Sequence, residues 1–117
     1  MIYYANKKSK YGNKKIKLSG GTFDSRLEAA RWGELKLLQK AKKISDLERQ
    51  KKYLLIPAQY EDGKCVERAC SYVADFVYKK DGEIIVEDTK GFKTPEYKIK
   101  KKLMLYVHGI KIREVRA

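Results

Sequence analysis

The strongest constraint in this chain is a turn. Asp81-Gly82 stands between two β-type runs, SYVADFVY (71–78) and EIIVEDTK (83–90). Asp-Gly is a strong two-residue hairpin signal, because a type I′ turn needs positive φ at both central positions. With the turn centred there, Lys80 faces Glu83, Val77 faces Val86, and Asp75 faces Asp88. Facing residues have Cβ atoms about 4.5–5.5 Å apart. Alternation puts Val73, Asp75, Val77, Ile84, Val86, Asp88 and Lys90 on one face, and Ala74, Phe76, Tyr78, Ile85, Glu87 and Thr89 on the other. Both sets are largely apolar, as in a sheet covered on both sides. Glu87 thereby points away from Asp75, unless a β-bulge lets Glu87 replace Asp88.

Two carboxylates this close repel each other unless a proton or a cation lies between them. A divalent metal is the natural resolution, because hard cations take carboxylate oxygens. Lys90 lies two residues beyond Asp88 and shares its face. Two acids and a lysine on one face are what metal-assisted phosphodiester cleavage needs. The structural alternatives stay open: Asp75 paired with Arg68 or Lys90, Asp88 paired with Lys90, or Lys90 as a surface residue at a strand end.

The flanking segments complete an α/β pattern. Ile16-Lys17-Leu18 and Thr22-Phe23 suggest a small hairpin across Ser19-Gly20-Gly21. Asp24 or Ser25 caps a first helix whose Leu27, Ala30, Leu35, Leu38 and Ala41 have near-helical spacing, fading at Lys42-Lys43. Ser25-Arg26-Leu27-Glu28 is a capping box, which gives Glu28 a structural role. Tyr53–Ile56 reads as a strand ended near Pro57, and the long hairpin spans about 66–78 and 83–90. Thr94-Pro95-Glu96 opens a second helix that runs through Tyr97, Leu103, Met104 and Val107 and stops at Gly109. Ile110-Lys111-Ile112 starts a last strand. A strand reached through a helix usually lies parallel in the same sheet, so a mixed sheet with helices packed on it is expected.

The length of 117 residues suits one domain, and 43% hydrophobic content supplies a core. We expect residues 1–17 to form a flexible basic arm and 18–117 a single domain. With no long apolar run and no signal-peptide pattern, a soluble intracellular protein is expected. Cys65 and Cys70 read as free thiols, and His108, the only histidine, as structural near a helix C-terminus. Two cysteines and one distant histidine make a poor zinc set. The charge is lopsided, with 28 Lys+Arg against 15 Asp+Glu and a formal +13. Lys7, Lys8, Lys10, Lys14, Lys15 and Lys17 precede any acid, and Lys98, Lys100, Lys101 and Lys102 form a second run. Such a field favours a polyanion, most simply nucleic acid. Lys14, Lys15, Lys98, Lys101 and Lys102 are the expected phosphate contacts. Tyr3, Tyr4 and Tyr11 are candidates for stacking on bases.

These residues together resemble the PD-(D/E)XK nuclease superfamily, whose core is α-β-β-β-α-β with a mixed sheet flanked by helices. Asp75 matches its first acid and Asp88-Thr89-Lys90 its acid-x-lysine element, while Ala74 stands where the motif has proline. Glu28 matches the helix glutamate of several members, among them transposon-end nucleases and archaeal Holliday-junction resolvases. More closely, TFDSRLEAARWGELKLLQKAKKISDLERQ, YVADFVY and VEDTKGFKT are similar to a small phage- and prophage-encoded endonuclease family long described as a domain of unknown function. That likeness covers about residues 11–115.

The resemblance implies a metal-dependent DNA endonuclease with catalytic Glu28, Asp75, Asp88 and Lys90. It implies Mg²⁺, with Mn²⁺ able to substitute, held by Glu28, Asp75, Asp88 and the Thr89 backbone carbonyl. Gln50 matches a supporting polar position. The implied substrate is branched DNA such as a Holliday junction, in phage recombination or replication. A homodimer in the cytoplasm of a bacterial host follows, with phage or prophage as the source. Two alternatives remain: a sequence-specific or nicking endonuclease of restriction or homing type, and a non-catalytic DNA-binding protein on the same fold. No organic cofactor and no membrane partner are expected.

Overall fold

The computed structural model describes residues 25–89 and 93–116, together with the backbone of 16–18 and 21–23. Lys14, Lys15 and Lys90, and most of the expected basic arm, lie outside the described residues. Two short strands come first, β1 (Ile16–Leu18) and β2 (Gly21–Phe23), paired antiparallel. This is the expected small hairpin, with Gly21 in the strand and not in the turn. Residues 16 and 17, placed in the arm by the sequence, therefore belong to a paired strand.

Helix α1 covers Arg26–Lys40. Ser25 caps it, its hydroxyl accepting the Glu28 N–H at 3.1 Å. Strand β3 (Ser45–Ile56) follows, then a small hairpin of β4 (Gln59–Glu61) and β5 (Lys64–Glu67). Strands β6 (Cys70–Lys80) and β7 (Glu83–Thr89) form the long hairpin. Helix α2 (Pro95–His108) has Thr94 as N-cap and left-handed Gly109, at φ 67°, as C-cap, as its sequence signals predict. Strand β8 (Arg113–Val115) ends the order.

The main sheet has the order β3-β6-β7-β8. β3/β6 and β6/β7 are antiparallel, and β7/β8 is parallel, reached through α2. The protein is therefore α/β with a mixed sheet. Asp81 and Gly82 both have positive φ, 52° and 81°, as the turn requires. The β6/β7 register is the one read from that turn, from Lys80↔Glu83 to Phe76↔Glu87.

The sheet is covered on both faces. On one side Leu55, Tyr72, Ala74, Val77, Val86 and Ile112 pack with Tyr97 and Met104 of α2. On the other, Ile44, Phe76 and Tyr78 pack with Ala29 and Leu35 of α1. Trp32 of α1 stacks on Phe76, with ring centroids 5.9 Å apart. His108 Nε2 bonds the Leu54 carbonyl at 2.7 Å and its ring meets Tyr53 edge-on, a structural placement. Both cysteines are free thiols. Among the described residues no helix is long and apolar enough to cross a membrane.

Several expectations are corrected. The buried stripe of α1 is Glu28, Ala29 and Leu35, whereas Leu38, Ala30 and Ala41 are exposed. An arginine partner for a buried strand acid and a glutamate at the cap turn the helix away from its simplest apolar face. β3 starts eight residues before Tyr53, because its charged segment is held by pairing with β6 and not by apolar content. The chain between β3 and β6 folds into the β4/β5 hairpin on a second Asp-Gly turn, where Asp62 and Gly63 have φ of 49° and 79°. β8 lies at 113–115, beyond Ile110–Ile112.

The α1 face of the sheet buries one acid fully. Arg31 of α1 donates to Glu87 from Nε at 2.8 Å and from Nη2 at 2.7 Å, and the Tyr78 hydroxyl also donates to Glu87. Burial alone raises a carboxylate pKa. Here the Arg31 and Tyr78 hydrogen bonds and the Arg31 charge outweigh it, and Glu87 is held below its ordinary value. Removing one partner of a buried pair leaves an uncompensated charge, at a cost of about 3–5 kcal/mol. Arg31→Ala is expected to lower stability by an amount of that order in urea denaturation. Arg31→Met combined with Glu87→Leu is expected to recover most of it.

Candidate active site

The β6/β7 ladder ends at Phe76↔Glu87, and the next residues out are Asp75 and Asp88. Thr89 closes this end. Its backbone N–H and its hydroxyl both donate to Asp75 Oδ2 at 2.8 Å. Asp88 is buried, at 1% exposure, and its Oδ2 accepts the Tyr72 hydroxyl at 2.5 Å. Burial pushes the Tyr72 hydroxyl pKa up, and Asp88 and Asp75 push it further. Tyr97 is raised by burial, by its hydrogen bond to Glu114, and by the charges of Asp88 and Asp75. Both tyrosines therefore keep their protons and act as donors. The two Thr89 hydrogen bonds hold Asp75 against the strand end that carries Asp88.

The strands are irregular at this point. Tyr72 and Ala74 face α2, whereas Phe76 and Tyr78 face α1. Strict alternation would put all four on one side. The phase of β6 therefore changes at Asp75. This corrects the expected face assignment, which placed Ala74 with Phe76 and Tyr78. β3 changes phase at the matching place: Leu47 packs on the α1 side, and Tyr53 and Leu55 on the α2 side. Gln50, between the paired residues Arg49↔Phe76 and Lys51↔Ala74, has a φ of 54°. A left-handed backbone at such a residue costs about 1–3 kcal/mol, and strain of this kind gathers at functional sites.

Glu28 sits at the start of α1, 5% exposed. Its Oε2 takes the Gln50 side-chain amide at 3.4 Å and lies 3.6 Å from an Arg49 guanidinium nitrogen. Arg49 in turn lies over the Trp32 ring at 5.8 Å. The structure thus joins Glu28 to Gln50 and Arg49, Asp75 to Thr89, and Asp88 to Tyr72. Among the described residues no group of three or more His, Cys, Asp or Glu side chains is placed to hold a metal ion. Lys98 and Lys102 are exposed on α2, and Lys101 pairs with Glu114 at 3.1 Å.

Glu114 is the acid that sequence reading missed. The parallel β7/β8 register sets it beside Asp88. It accepts the Tyr97 hydroxyl at 2.8 Å, and Lys93 Nζ lies 2.8 Å away. The Lys93 hydrogen bond is the largest influence on it; despite partial burial, Tyr97 and Lys101 add to it and hold the carboxyl down at about 2. The register of a strand reached through a helix cannot be counted from a turn, so nothing in the sequence aligned Glu114 with Asp88. Tyr72 was missed because alternation sets it on the face opposite Asp75.

A carboxylate with a depressed folded pKa stabilises the protein above its unfolded value of about 4.3 and loses that contribution as pH falls towards the folded value. For Glu114 the window runs from there down to about 2. Urea midpoints measured from pH 6 to pH 3 are expected to fall in the wild type. Glu114→Gln, which cannot titrate, is expected to start lower at pH 6 and fall less.

A family model described as "Protein of unknown function (DUF1064)" matches residues 8–116. No curated protein and no solved structure matches.

Proposed function

We propose that this chain, which belongs to the DUF1064 family, is a Mg²⁺-dependent DNA endonuclease acting on branched DNA, with Asp75, Asp88 and Lys90 at the reacting phosphate. One observation carries the reading. Asp75 and Asp88 follow the last β6/β7 pair, Phe76↔Glu87, and Thr89, the residue after Asp88, donates its N–H and its hydroxyl to Asp75. The order α1-β3-β6-β7-α2-β8, with the β4/β5 hairpin inserted, supports a PD-(D/E)XK core. The formal charge of +13 supports a polyanionic substrate.

The residues fit a hard cation. Both Thr89 hydrogen bonds to Asp75 fall on Oδ2. Mg²⁺ commonly rests on one or two carboxylates, waters and substrate phosphate oxygens. Asp75 and Asp88 would hold it, with the Thr89 carbonyl beside them. Glu28 would join only by exchanging Arg49 and Gln50. When bound there, the ion would supply a water of lowered pKa and a charge to offset the scissile phosphate.

The chain's own groups do the remaining work. Thr89 fixes the Asp75 carboxylate and Tyr72 that of Asp88. Lys90 is assigned to the negative charge that develops in the transition state, as a point charge and not a bidentate clamp. Paired cuts across a junction need two active sites, hence a homodimer. A sequence-directed or nicking endonuclease is the second reading, favoured by the same site.

The test is cleavage of a labelled four-way junction beside a linear duplex of the same sequence, with Mg²⁺ or EDTA. Paired, Mg²⁺-dependent cuts in the junction alone are expected, abolished by Asp88→Ala and by Asp75→Ala while DNA binding persists. Equal cutting of both substrates would select the sequence-directed reading. Tight binding without cleavage under any divalent metal would make the protein a DNA-binding module. Wild-type rates in Asp88→Ala would refute the site assignment.

A further inference from the structure

We infer that Lys93, Lys101 and Arg116 form a seat for a DNA backbone phosphate beside Asp88, assembled around Glu114; the inference rests on the DNA-acting reading above. Three cationic groups converge on one carboxylate. Lys93 Nζ lies 2.8 Å, Lys101 Nζ 3.1 Å and Arg116 Nη2 3.6 Å from Glu114 oxygens. They come from three separate places: the segment before α2, the second turn of α2, and the residue after β8. Bringing three like charges together carries a repulsion that one carboxylate does not cancel. The chain already has a formal charge of +13. A backbone phosphate on the cluster would offset part of the remaining positive charge.

The geometry leaves room for that anion. The Glu114 side chain is 12% exposed, while those of Lys93, Lys101 and Arg116 are 33%, 36% and 64% exposed. The carboxylate lies inside and the cations outside. An ammonium group has three donors, and each lysine directs its ion pair at Glu114 with further donors to spare. Glu114 also accepts the Tyr97 hydroxyl, so it is fixed from below by α2. It pairs with Asp88 across the β7/β8 register, so the seat lies one strand from the candidate acid. Two lysines at a solvent-facing rim suit a diester passing across the surface: they fix the backbone without reading sequence.

A cluster that serves folding alone behaves differently from a phosphate seat, and DNA binding without cleavage separates the two. Binding of the four-way junction in EDTA would be measured across a salt series. For the seat, Lys93→Gln and Lys101→Gln each weaken binding and lower the slope of log K against log salt by about 1. Glu114→Gln, which removes the competing carboxylate, binds at least as tightly as the wild type. Thermal melts accompany each variant, and the single substitutions leave the other cations on Glu114, so a folded variant remains to be tested. An unchanged slope in both lysine variants, with the wild type binding, overturns the seat and leaves the endonuclease reading standing. Failure of the wild type to bind any DNA overturns both.

Discussion

Strand β6 imposes the constraint on which the rest depends. It lies between β3 and β7 and is covered on both faces, so its neighbours Phe76 and Val77 serve two different cores. A polar residue buried in such a strand must find its partners within the protein. Asp75, half-buried, takes both donors of Thr89 from the next strand. The change of phase at Asp75 makes the arrangement feasible. It lets Ala74 and Val77 face α2 with Asp75 between them, and it is matched on β3 by the left-handed Gln50. The strain of one residue on β3 is thus tied to the position of one carboxylate on β6.

Adjacent acids on the central strands are handled by different chemistry. Glu87 is clamped by a bidentate arginine and a tyrosine, so its charge is spent inside the protein. Tyr78, its neutral donor, is pushed up to about 12, chiefly by burial and by its hydrogen bond to Glu87. Asp75 and Asp88 are supported by hydroxyl and amide donors of Thr89 and Tyr72, which orient a carboxylate without removing its charge. Glu114 gathers lysines. A cation approaching the α2 side of β7 therefore meets charge at the aspartates, whereas on the α1 side Arg31 already occupies Glu87.

The hairpin was legible because its signal is local. An Asp-Gly pair fixes φ, φ fixes the turn, and the turn fixes every facing pair out to Phe76↔Glu87. Helix α2 was legible for the same reason, through Thr94, Pro95 and Gly109. The second Asp-Gly at 62–63 carried the same information and was passed over because the run from 66 onward looked like one strand. What failed rests on long-range pairing. The charged first half of β3 is a strand only because β6 lies beside it, and the phase change at Asp75 exists only in the packed sheet. Glu114 depends on the register of a parallel strand returned through α2. The acids were found by type and spacing; their donors, Tyr72 and Tyr97, follow from burial that spacing does not encode.

Glu28 links the helix to this site by more than proximity. At the first turn of α1 its charge is favoured by the helix dipole and its N–H is held by Ser25. Its carboxylate meets Gln50 and Arg49 on either side of the β3 phase change, and Arg49 rests on Trp32, which stacks on Phe76. Phe76 is the residue after Asp75. A continuous set of contacts therefore runs from the cap of α1, through the strained backbone of β3, to the strand that carries the first candidate acid. The Glu28 backbone N–H serves the cap, while its carboxylate meets Gln50 and Arg49 of β3.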